Sequence, residues 1–132
     1  MKEIKHNGVL YAVCDNFTDL REGAKWYGDV DCNLQAARMF YNTNHEFKPH
    51  AHIFRERVVC FTQEAIVLIQ GHLVCTVYDK DDKIIEAFHL LPKGIAIFYT
   101  GGHNLKVMEE NTVFYEIKHG KFATVDADKR LL

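Results

Sequence analysis

From Leu34 onward, the chain alternates short apolar runs with polar or glycine-containing breaks. The runs are too short for typical helices and are rich in the β-branched and aromatic residues that favour strands. They are LQAARMFYN, AIVLI, LVCTVY, KIIEAFHLL, IAIFYT, HNLKVME and TVFYEIKHG. Short strands that recur about every eight to twelve residues are typical of an all-β sandwich or barrel. The pattern therefore predicts an all-β fold of about seven or eight strands with little helix.

The residues between the runs predict how the strands are joined. Gly71 and His72 predict a tight hairpin turn, and the polar stretches 79–82 and 109–111 predict two more. FKPHAHIF at 47–54 predicts a further strand. Before Leu34 the pattern is weaker: 8–17 predicts a strand, and 18–33 predicts a loop or a short helical turn. No linker interrupts the sequence, so we expect one domain, 1–132, with its core in about 35–120.

Composition narrows the classes of function. The 132 residues are 48% apolar and 26% charged with a formal net charge of −2, which argues against disorder and against binding of nucleic acid. No apolar run approaches the length that crosses a bilayer, and the first residues lack a signal-peptide pattern. The four cysteines form no CxxC pair, which favours free thiols in a reducing compartment. We expect a cytoplasmic protein with neither nucleic-acid nor membrane partners.

Three histidines and a glutamate are the candidate chemical centre. His50 and His52 are two positions apart, so on a strand both side chains point to the same face. Glu64 begins the buried run that ends at Gly71, and His103 follows the Gly101-Gly102 turn at the start of another run. Imidazole nitrogens with one carboxylate suit iron, manganese, nickel, zinc or copper.

The motifs H-x-H, E-x6-G and a later glycine-led strand with a histidine resemble the two metal motifs of the cupin superfamily. The resemblance covers about residues 35 to 120 and implies a cupin-type double-stranded β-helix, that is, a jelly-roll barrel. It also implies a divalent transition metal, Fe, Mn, Ni or Zn, bound by His50, His52, Glu64 and His103. The gap between His52 and Glu64 is longer than in typical cupins, which leaves Glu56 as the alternative carboxylate ligand.

Further side chains are candidates for binding or catalysis. Alternation along 113–118 puts Glu116 and Lys118 on one face, where they would act as a general acid and base if that face is inward. Arg55 and Arg57 lie in the inserted stretch between the histidines and Glu64, where they would clamp a phosphate or carboxylate. The alternative for Glu116 and Lys118 is an outward-facing ion pair on the surface. The alternative for Arg55 and Arg57 is a solvated loop.

The resemblance implies a metal-dependent enzyme acting on a small polar metabolite, most plausibly by isomerisation or epimerisation of a sugar or sugar derivative. More narrowly, TQEAIVLIQG and GGHNLKVMEENTVFYEIKHG resemble small stand-alone cupins associated with bacterial surface-polysaccharide biosynthesis. The alternatives are an Fe(II)-dependent dioxygenase and a non-catalytic ligand-binding cupin. Because open β-sandwiches have edges to protect, we also expect a homodimer.

Overall fold

A computed structural model describes residues 1–19, 21–120 and 129–132. These residues form ten strands and no helix, so none of them belongs to a helix that could cross a membrane. All strand pairings are antiparallel, and the prediction of an all-β fold is confirmed. The strands are β1 (Lys2–His6), β2 (Val9–Asp15), β3 (Gly23–Tyr27), β4 (Ala36–Phe40), β5 (Glu64–Gln70), β6 (Leu73–Tyr78), β7 (Ile84–Leu90), β8 (Ile95–Phe98), β9 (Gly102–Val107) and β10 (Val113–Lys118).

Two sheets pack face to face around the main core. A five-stranded sheet has the order β1-β2-β8-β5-β10, and a three-stranded sheet has the order β7-β6-β9. Alternating residues of the first sheet, such as Ile66 and Leu68, pack against Leu73, Val77 and Leu90 of the second, and all five are fully buried. Alternation along the strands thus sends one row of apolar side chains into the space between the sheets.

The outer face of the five-stranded sheet has a second core. There the two-stranded sheet β3-β4 and the residues between its strands cover Val13, Ala65 and Ile97. The carboxylate of Asp15, at the end of β2, holds β3 in place by accepting hydrogen bonds from the Tyr27 hydroxyl at 2.8 Å and the Lys25 ammonium at 3.2 Å. AIVLI therefore forms a strand that packs on both faces near its start, through Ala65 on the outer face and Ile66 on the inner face, whereas Ile69 near its end is exposed.

Several details of the predicted fold are wrong. Residues 47–54 form no strand, whereas β3 lies in the stretch predicted as loop, and β1 was not predicted. Gly71 does not close a hairpin, because β5 pairs with β8 and β10 while β6 pairs with β7 and β9. The turn at 109–111 likewise joins strands of different sheets. Of the three predicted hairpin turns, the one at 79–82 does close a hairpin, between β6 and β7. A jelly-roll barrel is not confirmed, since the described strands form open sheets and no closed barrel.

The cysteines are free, as predicted. Cys14 and Cys75 both lie in the main core, where burial raises the pKa of the Cys14 thiol to about 11 and that of the Cys75 thiol to about 12. A thiol must ionise to act as a nucleophile, so these two behave as small apolar side chains at neutral pH.

Candidate functional site

A buried carboxylate and an imidazole meet where the two main sheets come together at one end. Glu64 begins β5 and is only 4% exposed, while His103 is the second residue of β9 in the facing sheet. Glu64 Oε2 and His103 Nε2 are 2.9 Å apart, a normal distance for a hydrogen bond. Burying a carboxylate is costly without such a partner, so this pair is the chemically distinctive feature of the site.

Neighbouring residues fix the orientation of the imidazole. The His103 ring stacks on the Phe98 ring with centroids 4.2 Å apart and planes 12° apart. The chain reaches His103 through Gly101, which has a φ of +72°, and a Cβ there would lie 2.3 Å from the backbone oxygen of Tyr78. Glycine is therefore required at 101 by both conformation and space, and it places His103 above Phe98.

The pair carries a negative charge on Glu64. The hydrogen bond from His103 lowers the pKa of the Glu64 carboxyl, although burial alone would raise it. The nearby positive charges of Lys129 and Lys118 lower this pKa further. Glu64 is thus an ionised acceptor that holds the Nε2–H of His103, while His103 Nδ1 has no partner among the described residues.

An open cavity of about 730 Å³ lies over this pair. Its walls come from the residues just before β5, the β6–β7 turn, the β8–β9 turn and the segment 129–132. Small-molecule sites in proteins typically have volumes of about 300–1,000 Å³ and a few convergent polar groups. The cavity over Glu64 and His103 meets both criteria.

Residues 129–132 form one wall of the cavity through three contacts. Lys129 Nζ lies 3.7 Å from Glu64 Oε1, and the Arg130 guanidinium binds both carboxylate oxygens of Asp82, with Nη1 2.9 Å from Oδ2. Leu132 packs so closely over Gly102 that a Cβ on this glycine would lie 2.6 Å from Leu132 Cδ1. The described residues 129–132 thus fold back over the site.

The structure brings together two of the four predicted metal ligands. His50 and His52 lie on an exposed stretch without regular structure, with ring centroids 5.4 Å apart, and His50 Nδ1 is 3.0 Å from the backbone oxygen of Lys48. The alternative ligand, Glu56, is exposed on the same stretch. Within the described ranges, no three His, Cys, Asp or Glu side chains are grouped so that they could hold a metal ion. The metal and its four ligands stay a prediction.

The other residues predicted for binding or catalysis differ in how far they are buried. Phe114 packs against the main core, so the face of β10 that also carries Glu116 and Lys118 is the inward one. Lys118 pairs in register with Glu64 and is half-buried beside the site, whereas Glu116 pairs with Ile66 and is exposed. Arg55 and Arg57 are exposed as well. Catalytic roles for Glu116 and Lys118 stay predictions.

Sequence reasoning missed Phe98, Asp79 and Lys129 as residues of the site. Phe98 belongs to an apolar run that looks the same whether a ring lies in the core or beside an imidazole. Asp79 does carry a signal, because an aspartate at the start of a polar turn often accepts backbone N–H groups, as it does here from Asp81 and Lys83 at 2.9 Å. Lys129 is far from Glu64 in sequence, and no local pattern predicts that contact.

Comparisons with known proteins supply no relative for this site. No protein-family model matches the chain, and neither the curated proteins nor the solved structures contain a match. The interpretation of the site therefore rests on its own residues and their geometry.

Proposed function

We propose that the cavity binds a small polar metabolite and that the Glu64–His103 pair transfers protons to and from it. The observation that carries this proposal is a nearly fully buried carboxylate that orients an imidazole at the base of an open cavity. A carboxylate that holds one imidazole nitrogen fixes the tautomer and leaves the other nitrogen to exchange a proton with a ligand. Such a pair is suited to general acid–base catalysis.

The reaction that this pair serves without any co-reactant is isomerisation or epimerisation beside a carbonyl group. His103 Nδ1 would take a proton from the carbon next to the carbonyl, and the electron pair of the broken C–H bond would move toward the carbonyl oxygen. The same imidazolium would return the proton to the former carbonyl carbon while a hydroxyl proton shifts between the oxygens, which gives the isomer. For epimerisation the bound enediolate would first have to turn its opposite face toward the imidazolium, which would then return the proton to the original carbon.

We infer from the resemblance to cupins that the metabolite is a sugar or sugar derivative. That resemblance is itself a proposal. The test is to incubate the protein with a panel of aldoses and ketoses in D₂O and to follow deuterium incorporation by NMR. We expect deuterium at the carbon next to the carbonyl for at least one member, and none with heat-denatured protein. If no sugar of the panel exchanges deuterium and none binds, the proposed function is refuted.

The predicted metal can be tested independently of catalysis. As placed, the described residues do not complete a metal site, so no step above is assigned to a metal; His50 and His52 would have to move toward Glu64 and His103. Elemental mass spectrometry is expected to find about one equivalent of Fe, Mn, Ni or Zn per chain, and none in His50→Ala/His52→Ala. His45→Ala, on the same irregular stretch, is the matched control and should keep the metal. Wild-type protein without metal after reconstitution would contradict the ligand prediction.

The predicted homodimer has a candidate surface on the outer face of β5 and β10. Val113, Tyr115 and Ile117 form a row along β10 with exposures of 50%, 64% and 50%, and Ile69 on β5 is 49% exposed. Neighbouring exposed apolar side chains often mark an interface. Light scattering at micromolar concentration is expected to give the dimer mass, and Tyr115→Glu to lower it to the monomer mass. The control Ile84→Glu, on β7, should stay dimeric, and a monomeric wild type would contradict the prediction.

A further inference from the structure

Two buried carboxylates that line the cavity, Glu64 and Asp79, already have partners within the chain. Glu64 accepts from His103 and pairs with Lys129, and Asp79 Oδ1 accepts two backbone N–H groups at 2.9 Å. A ligand that needed to donate many hydrogen bonds would have to compete with these partners.

The lysines at the cavity retain donors. An ammonium group has three N–H donors and no acceptor. The Lys129 side chain is 46% exposed, and its nitrogen is 3.7 Å from Glu64, longer than the 2.7–2.9 Å of a good charge-assisted hydrogen bond. Lys80, at the rim, is 84% exposed and lies 3.6 Å from Asp81. Both ammonium groups can therefore turn toward a ligand without breaking a tight hydrogen bond.

Resting on the proposed function, we propose that the metabolite carries an anionic group, a carboxylate or a phosphate, and that Lys129 binds this group. The donors left in the cavity match the acceptor oxygens of such an anion. The Lys129 ammonium would then bridge the Glu64 carboxylate and the anionic group of the ligand, and its positive charge would offset the repulsion between these two negative charges.

The segment 129–132 is built to hold Lys129 in this position. Arg130 uses its planar guanidinium on Asp82 in the β6–β7 turn, a geometry that fixes direction as well as distance. Leu132, two residues further on, is in contact with Gly102, the neighbour of His103. Lys129 contacts Glu64, and the residue that follows it in sequence, Arg130, is held in place by Asp82. Arg130 therefore acts as a positioning residue rather than as a second anion-binding group.

The experiment compares three sugars that differ only in the charged group: D-glucose, D-glucuronate and D-glucose 6-phosphate. Calorimetric titration of the full chain is expected to show at least about tenfold tighter binding of one or both anions than of glucose. The carboxylate and the phosphate arms identify which anion the site takes. Equal affinities for all three sugars would overturn the proposal.

Lys129→Met removes the charge but keeps the length of the side chain. We expect it to weaken binding of the preferred anion by about ten- to a hundredfold and to leave glucose binding unchanged. Lys129→Arg should retain most of the preference. Lys106→Met, an exposed lysine on β9, is the control for the loss of one positive charge and should bind like the wild type. Retention of the anion preference in Lys129→Met would overturn the role of Lys129.

The outcomes distinguish a failure of this inference from a failure of the proposed function. Sugar binding that depends on Glu64 but shows no preference for an anion would overturn the inference and leave the proposed function standing. Absence of binding by all three sugars would overturn the inference as stated, and the D₂O exchange panel would then decide the function by itself. A melting temperature of Lys129→Met close to that of the wild type is expected, because half-exposed ion pairs contribute little to stability.

Discussion

Replacing Glu64 by glutamine is expected to slow deuterium incorporation into the bound sugar by about 10²–10⁴-fold. The glutamine has nearly the same shape as glutamate but no charge, and its amide can present a donor instead of an acceptor to His103 Nε2. The imidazole then loses the partner that selects its tautomer and fixes its orientation. The rate is measured by NMR in D₂O at saturating sugar, so that a change in affinity is separated from a change in turnover.

Two further variants make this result specific. Glu86→Gln removes a half-buried carboxylate on β7 that pairs with Lys2 on β1, and it should exchange deuterium like the wild type. His103→Gln should be as slow as Glu64→Gln, and the double variant no slower than either, because residues that act as one unit have non-additive effects. Independent, multiplicative losses in the double variant would show that Glu64 and His103 do not act as a pair.

The strands of this fold could be predicted from sequence more reliably than their connections. The apolar runs that became β5 to β10 are short, β-branched and separated by turn residues, so local signals suffice to find them. Whether a turn such as that at Gly71 closes a hairpin or leads to the other sheet depends on which strand lies alongside, and this is decided by distant residues. A Cβ on Gly71 would lie 2.2 Å from the hydroxyl oxygen of Thr112, a residue 41 positions further along the sequence.

The residues of the candidate site also differ in how well the sequence predicts them. Glu64 and His103 could be predicted because Glu64 begins an apolar run and His103 follows a glycine turn, so both stand near strand starts, and strand ends of facing sheets meet at the rim of a sandwich. His50 and His52 were predicted from their spacing together with the cupin-like pattern of Glu64, Gly71 and His103, and that spacing puts both side chains on one face only if 47–54 is a strand. Lys129 reaches the site through contacts of Arg130 and Leu132 with turns far away in sequence, and no periodic pattern encodes such contacts.

The largest effect on stability is expected for Asp15→Ala, which should lower the free energy of unfolding by about 3–5 kcal/mol. The Asp15 side chain is 2% exposed and accepts hydrogen bonds from the Tyr27 hydroxyl, the Lys25 ammonium and the Phe17 backbone N–H. The substitution would leave the Tyr27 hydroxyl buried without its acceptor and release β3 from the outer face of the five-stranded sheet. Urea unfolding at pH 7 measures the difference, with the exposed Glu110→Ala as a control that should stay within about 0.5 kcal/mol of the wild type.

The same carboxylate predicts how this difference depends on pH. Burial alone would raise the pKa of Asp15, but the hydrogen bonds from Tyr27 and Lys25 outweigh it, and the folded-state pKa lies below its usual value. The stabilisation is therefore complete above the unfolded-state pKa of about 3.9 and is lost as the pH falls through the lower folded-state value. The gap between wild type and Asp15→Ala should be constant from about pH 7 to 5 and should narrow below about pH 4. A gap that widens on acidification would mean that Asp15 is protonated in the native protein, and that Tyr27 and Lys25 do not hold it as an anion.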